Sequence, residues 1–165
     1  MRVKRTGIHR RSCEFSIIEN GGSRPPSKDS VERLLFMADV NNPKVQKILQ
    51  SKAYAHLATI GPNGEPQSSP MWFLWDGEHM KFTHTTNRQK YHNIKRDPRV
   101  AISITDVDNP YTYAEFRGVI DRIDDDPGGA FYNTLAEHYG SSGRYRGDPR
   151  VIIYVKVHHI VGQNL

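Results

Sequence analysis

The chain has a single cysteine, Cys13, so no disulfide can close within it. Cys/His spacing of the kind that builds a structural zinc site is also missing. No apolar run approaches the roughly 18 residues that a membrane span requires. The basic opening Met1 to Arg5 is not followed by the apolar stretch of a secretory signal, so a soluble cytoplasmic protein is expected. Conventional catalytic settings are absent too. Ser68-Ser69 lacks the Gly-x-Ser-x-Gly context of a hydrolase elbow, and Cys13 has no activating neighbour. His158 and His159 are adjacent on a strand, so they point to opposite faces and cannot share a metal. His56, His79, His84 and His92 read as surface or packing residues, with His84 kept open because it abuts a polar loop.

What the chain does have is positive charge. Its formal net charge is +5 over 165 residues, with a pI near 9.4, which favours anionic partners. Part of this charge lies in Arg2, Lys4, Arg5, Arg10 and Arg11. These belong to an unpatterned stretch containing Gly21-Gly22 and Pro25-Pro26. The rest concentrates in Arg88, Lys90, Lys95, Arg96 and Arg99. The length suits one domain, divided into an N-terminal extension over 1–40 and a patterned domain over 41–165. In the extension, Val31, Leu34 and Leu35 have helical spacing.

The patterned domain is organised around residues 55–93. Ala55 to Ile60 is a short apolar run ending at Gly61-Pro62-Asn63-Gly64, where the Asn-Gly pair accepts positive φ. The chain returns from Gln67 to Trp75 as a strand covered on both faces, reverses at Asp76-Gly77, and runs again from His79 to Thr83. The polar segment His84-Thr85-Thr86-Asn87 then precedes a basic helix that Pro98 closes, with Asn87 as the expected cap. Arg88 and Lys90 in the first turn oppose the helix dipole, so they need a reason to be there. A bound anion such as a phosphate supplies one.

On either side of this stretch the pattern continues. Asn42-Pro43 caps a helix carrying Val45, Ile48 and Leu49, which should lid one end of a barrel. Val100, Ile102 and Ile104 alternate along a strand, and Tyr111 to Ile123 forms a long one. In it Tyr111, Tyr113, Glu115 and Arg117 face one side, and Gly118 marks a bulge or close backbone approach. Asp126-Pro127 is expected to open a helix with Phe131, Leu135 and His138 at helical spacing. Residues 140–147, with Arg144 and Arg146, form a loop suited to a flap, and 150–157 is the last strand. About six strands in hairpin order with peripheral helices predict a mainly β fold, an antiparallel barrel rather than a doubly wound sheet.

Leu57-Ala58-Thr59, Gly64-x-Pro66-Gln67, Pro70-x-Trp72, Trp75-x-Gly77, Arg88-x-Lys90-x-x-Asn93 and Arg96-Asp97-Pro98-Arg99 form an ordered series. It resembles the motifs of the FMN-binding split-barrel superfamily, which includes pyridoxamine 5'-phosphate oxidases. Asp106-x-Asp108-Asn109-Pro110-Tyr111 and Arg117-Gly118 are similar to the branch that uses the deazaflavin coenzyme F420. The resemblance spans roughly the last two thirds of the chain and leaves out residues 1–40. It implies a six-stranded antiparallel split barrel that forms a homodimer with the cofactor at the interface. Ser68, Ser69, Pro70, Met71 and Trp72 would pass along the tricyclic ring. Thr83, Thr85, Thr86, Arg88, Lys90 and Asn93 would hold the phosphate and ribityl groups, and Tyr113 would reach the ring from a nearby wall.

The resembling flavin mononucleotide oxidases commonly carry an adjacent Arg-Lys pair at the phosphate, whereas Gln89 precedes Lys90 here. That departure favours F420, with FMN as the alternative. Arg144, Arg146 and the arm could attract an oligoglutamate tail at long range. The expected activity is hydride transfer from reduced F420 to a planar conjugated small molecule, with no obligatory protein acid or base and no catalytic side chain named. Two rival readings are an FMN-dependent oxidoreductase and a non-catalytic cofactor-binding module. Nucleic-acid binding through the basic arm is the remaining and less favoured use of the charge.

Overall fold

The structure, a computed structural model, describes residues 36–143 and 145–165. The readings made for the basic arm, Cys13, the Val31–Leu35 spacing and Arg144 lie outside the described residues. In chain order the elements are β1 (Phe36–Met37), α1 (Pro43–Leu49), β2 (Ala55–Ile60), β3 (Pro66–Met71), β4 (Phe73–Trp75) and β5 (His79–Thr85). They continue with α2 (Gln89–Arg96), β6 (Arg99–Thr105), β7 (Tyr113–Asp125), α3 (Ala130–His138) and β8 (Arg150–Gln163). The fold is mainly β, as the strand pattern predicts.

All pairings are antiparallel, in the order β3-β2-β6-β7-β8-β5-β4, with β1 added to β8. The outermost strands of this path, β3 and β4, are consecutive in sequence and separated only by Trp72. The chain therefore leaves one edge of the sheet and joins the other within a single residue, which requires the sheet to curl round on itself. The sheet has eight strands, where sequence reading gives about six. One difference arises because the run from Gln67 to Trp75 divides at Trp72 between two partners, and alternation cannot reveal a change of partner. The other is β1, too short to show a period, which pairs Phe36 with Gly162 and Met37 with Val161.

The interior follows the strand alternation. Leu57 of β2, Met80 and Phe82 of β5, Ile102 and Ile104 of β6, Phe116 of β7, and Val151, Ile153 and Val155 of β8 are fully buried around Phe73. Burying each stabilises the fold by roughly 1.5–3 kcal/mol. Helix α1 covers this core with Val45, Ile48 and Leu49. Asn42 caps it as predicted, its side chain accepting from the Lys44 N–H at 2.9 Å. On its outer side Lys47 Nζ reaches Asp106 at 2.9 Å and Asp108 at 2.7 Å.

Other helix starts differ from expectation. Helix α3 begins at Ala130 after Gly129 at φ 62°, not at Asp126-Pro127. Asp126 still serves the helix from before the turn, accepting from the Phe131 N–H at 3.4 Å and the Tyr132 N–H at 3.3 Å. At α2 the cap position is Arg88, not Asn87, and no side chain caps it. Among the described residues, no helix is long and apolar enough to cross a membrane.

The bulge expected at Gly118 is present, for the β7–β8 register shifts between Arg117 and Gly118. A Cβ on Gly118 would collide with the backbone carbonyl of Lys156. Gly118→Ala should therefore cost about 1–3 kcal/mol through overpacking against backbone, read as a lowered urea midpoint. An unchanged midpoint would mean that β8 moves aside freely.

Candidate functional site

Beside the seam at Trp72 the barrel opens into a cleft of about 300 Å³. Its walls come from Tyr54 ahead of β2, Pro70 and Met71 at the end of β3, Trp72 itself, Thr83, His84 and Thr85 at the end of β5, Arg88, Tyr132 of α3, and Arg150 at the head of β8. Antiparallel pairing explains why residues so distant in sequence meet. Thr85 lies opposite Arg150 and Thr83 opposite Ile152, so the polar end of β5 faces the first residue of the last strand. Arg150 Nη1 donates to Thr83 Oγ1 at 3.1 Å, and its guanidinium sits 4.1 Å from the Tyr132 ring centroid. Hydrogen bond and cation–π contact together hold the guanidinium at the cleft.

The opposite wall is aromatic. Trp72 stacks on Tyr139 at 5.3 Å and 12°, Tyr132 lies 6.2 Å from Trp72, and Tyr54 tilts against Tyr139 at 5.8 Å. Tyr139 also closes the seam. Its hydroxyl donates to the Ala53 carbonyl at 2.9 Å and accepts the Phe73 N–H at 3.3 Å. Burial raises its pKa, so it stays a neutral hydroxyl that can both donate and accept.

The electrostatics are one-sided, because no carboxylate among the described residues lines this cleft. The His84 pKa is lowered to about 4, first by burial and then by the charges of Lys90, Arg88 and Arg150. Lys90 is only 5 % exposed and donates to the Leu57 carbonyl at 3.0 Å. Burial lowers its pKa to about 8. His84 Nε2 and Thr85 Oγ1 are buried without a hydrogen-bond partner. Buried polar atoms are normally satisfied, so cations with no counter-charge beside orphaned polar atoms fit an anionic, hydrogen-bonding guest.

Of the residues expected from sequence, Pro70, Met71, Trp72, Thr83, Thr85 and Arg88 line the cleft together. Thr86 adjoins it, its N–H donating to the Pro149 carbonyl at 3.2 Å and tying the loop to the approach to β8. Ser68 and Ser69 lie farther along β3, opposite Ala58 and Leu57. Asn93 is fully buried and turned inward. Its amide donates to Thr59 Oγ1 at 3.2 Å and Gln67 Oε1 at 3.0 Å, which clamps α2 to β2 and to Gln67 of β3. Tyr113 is remote: it pairs with Gln163, and Gln163 and Arg150 are opposite ends of the 14-residue β8, roughly 40 Å of strand.

Sequence reading missed Arg150, Tyr54, Tyr132 and Tyr139 as site residues. Only the strand pairing and the seam bring them in, and no local motif marks them. His84, held open from its position beside the polar loop, does line the cleft.

The sequence profile of the pyridoxamine 5'-phosphate oxidase family matches residues 42–164. Among solved structures the chain is similar to one named F420 reductase, at 48 % identity and TM-score 0.68, covering 70 % of this chain and 94 % of that one. It is also similar to a conserved hypothetical protein from Mycobacterium tuberculosis at 25 % identity and TM-score 0.60, covering 79 % and 86 % of the two chains. A putative pyridoxamine 5'-phosphate oxidase from Listeria innocua shares the fold at 20 % identity and TM-score 0.57, covering 74 % of this chain and 97 % of that one. No curated protein matches the chain in sequence.

Lys90 makes the electrostatic tension measurable. Its folded-state pKa of about 8 lies below the ordinary 10.5, so between those values the unfolded chain binds more protons and stability rises with pH. Below about pH 8 both states are charged and the full penalty, about 3 kcal/mol, weighs on the fold. Lys90→Met should raise ligand-free stability at pH 7 by about 1–2 kcal/mol, after loss of the Leu57 hydrogen bond. That gain should shrink as pH approaches 10 in denaturant melts. A variant less stable than wild type at pH 7 would show that the ammonium supports the fold.

Proposed function

We propose, given that this chain belongs to the pyridoxamine 5'-phosphate oxidase family, that it is an oxidoreductase dependent on F420 and reduces a planar conjugated small molecule. The observation that carries this reading is the cleft with cations, no carboxylate and orphaned polar atoms beside an aromatic wall. The similarity to a structure named F420 reductase supports the choice of coenzyme. When bound, the reduced deazaflavin supplies the hydride.

The rest falls to this chain's own side chains. Arg88 and Arg150 would hold the coenzyme's acidic group, and Thr83, Thr85 and Thr86 would offer hydroxyls to it. Lys90 adds positive potential from beneath, a role that accounts for a buried ammonium with a single acceptor. Asn93 positions α2, and with it Arg88, through its clamp on Thr59 and Gln67. Ser68, Ser69, Pro70, Met71 and Trp72 would offer the edge for the coenzyme's rings, while Tyr54 and Tyr132 would narrow the space left for a flat acceptor and exclude water. No acid or base of the protein is required, because the acceptor's proton can come from solvent.

The reading includes a homodimer. Tyr113 lies too far along β7 to reach the cleft of its own chain, so it contributes only to that of a second copy. A groove of about 510 Å³ supports such a contact. Ala58, Ile60, Pro66, Ala101 and Gly118 give it an apolar floor, and Arg99 and Arg117 rim it. Ala101→Arg should shift the sedimentation coefficient from dimer to monomer and weaken coenzyme binding with it. An unchanged coefficient would remove this groove from the interface.

Titrating the purified chain with F420 and with FMN, followed by fluorescence, tests the coenzyme assignment. F420 should bind at least about tenfold tighter than FMN. Arg150→Ala should weaken F420 binding by roughly 10- to 100-fold, the range for losing a charged hydrogen bond. Tighter binding of FMN would replace the assignment with its flavin alternative, and an Arg150→Ala variant as tight as wild type would remove Arg150 from the site.

A further inference from the structure

We infer that Tyr139 is the positioning residue for the acceptor: it does not line the cleft itself, but it sets the separation of Tyr54 and Trp72 and with it the width of the slot that admits a flat molecule. This rests on the oxidoreductase reading above and adds to it a determinant of acceptor binding, distinct from the cations assigned to the coenzyme.

The strand register carries it. The β2–β3 ladder runs from Ile60 opposite Pro66 to Ala55 opposite Met71. Continued by two residues, it would set Tyr54 opposite Trp72 and Ala53 opposite Phe73. The ladder stops because Phe73 opens β4 and pairs with Phe82 of β5 instead. The two backbones part at that point, and Tyr54 and Trp72 become walls of the cleft. The Tyr139 hydroxyl bridges the parting, donating to the Ala53 carbonyl at 2.9 Å and accepting the Phe73 N–H at 3.3 Å. Each anchor adjoins one wall residue, since Ala53 precedes Tyr54 and Phe73 follows Trp72.

The ring of Tyr139 repeats what its hydroxyl does. It stacks on Trp72 at 5.3 Å and 12° and tilts against Tyr54 at 5.8 Å. Tyr132, about two helical turns earlier, meets Trp72 at 6.2 Å. Walls held in this way need no ordering when a planar guest enters, which favours its binding. Among the described residues Tyr139 shares no hydrogen bond or ring contact with Arg88 or Arg150, so its hydroxyl acts on the acceptor's slot and not on the cations.

Equilibrium dialysis of duroquinone against the full chain loaded with oxidised F420 reads the slot. Duroquinone is flat and uncharged, and its fully substituted ring cannot add to Cys13. Tyr139→Phe keeps the ring and loses the bridge, so it should bind duroquinone about fivefold more weakly, the scale of one lost hydrogen bond, with F420 affinity within about twofold of wild type. With reduced F420 as donor, KM for duroquinone should rise by that factor while kcat holds. Val45→Ala, buried in α1 and not on the cleft, destabilises the core and should leave both affinities unchanged. Equal duroquinone binding by Tyr139→Phe and wild type, an equal loss in Val45→Ala, or a matching loss of F420 would overturn the role of Tyr139. So would a wild type that binds F420 and no duroquinone. Binding of both without turnover would reject the oxidoreductase reading, while the dialysis still decides Tyr139; a wild type that binds no F420 would remove both. If Tyr139→Phe fails to fold, as its melt would show, Tyr54→Leu at the exposed end of the slot takes its place with the same outcomes.

Discussion

The chain passes from the β3 edge of the sheet to the β4 edge across Trp72 alone, and this closure is the constraint from which the rest of the architecture follows. A sheet whose outermost strands are joined by one residue has to curl, and the curl encloses Phe73, Phe82, Phe116 and the branched residues facing them. At the seam the ladder cannot continue. The Tyr139 hydroxyl takes over there, bridging the Ala53 carbonyl and the Phe73 amide from the residue that follows helix α3. The same residue carries the Trp72 ring on its face. Structural closure and the aromatic wall of the cleft are therefore one device, and the cleft opens where the sheet has least backbone pairing to offer.

Against that wall stands a concentration of positive charge that no carboxylate among the described residues neutralises. Arg88 stands at the N-cap position of α2 without a side-chain cap, Arg150 is held by a hydroxyl and a ring, and Lys90 is buried against a carbonyl. Elsewhere this chain pairs its cations freely, as in Lys47 with Asp106 and Asp108 or Arg99 with Asp97. The contrast argues that the unpaired set is retained for a ligand and not for stability. Sites that run against local stability in this way are characteristic of function.

The sequence displays the parts of this arrangement whose signal is local. Alternation marks the strands, Asn42-Pro43 marks α1, Gly118 marks its bulge, and the polar run ending in Arg88 marks the loop into α2. The resemblance to the split-barrel superfamily agrees with the family to which the chain belongs. What is hidden is what depends on partners. The division of one strand between two sheet edges leaves the alternation of residues 67–75 intact. The inward turn of Asn93 is set by Thr59 and Gln67, far away in sequence. Arg150 becomes a site residue only because β8 pairs with β5. Lys90 shows the limit from the other side: its position in the motif is clear, yet its burial under the cleft comes from the packing of α2 on β2.

The central claim is that the cationic end of the barrel holds the acidic group of a coenzyme whose rings lie along the seam. A crystal structure of the chain with F420 tests it most directly. The account predicts phosphate oxygens within about 3 Å of the Arg88 and Arg150 guanidinium groups, with the deazaflavin rings against the edge that ends at Trp72. Coenzyme bound elsewhere on the barrel, with both arginines turned to solvent, would contradict it.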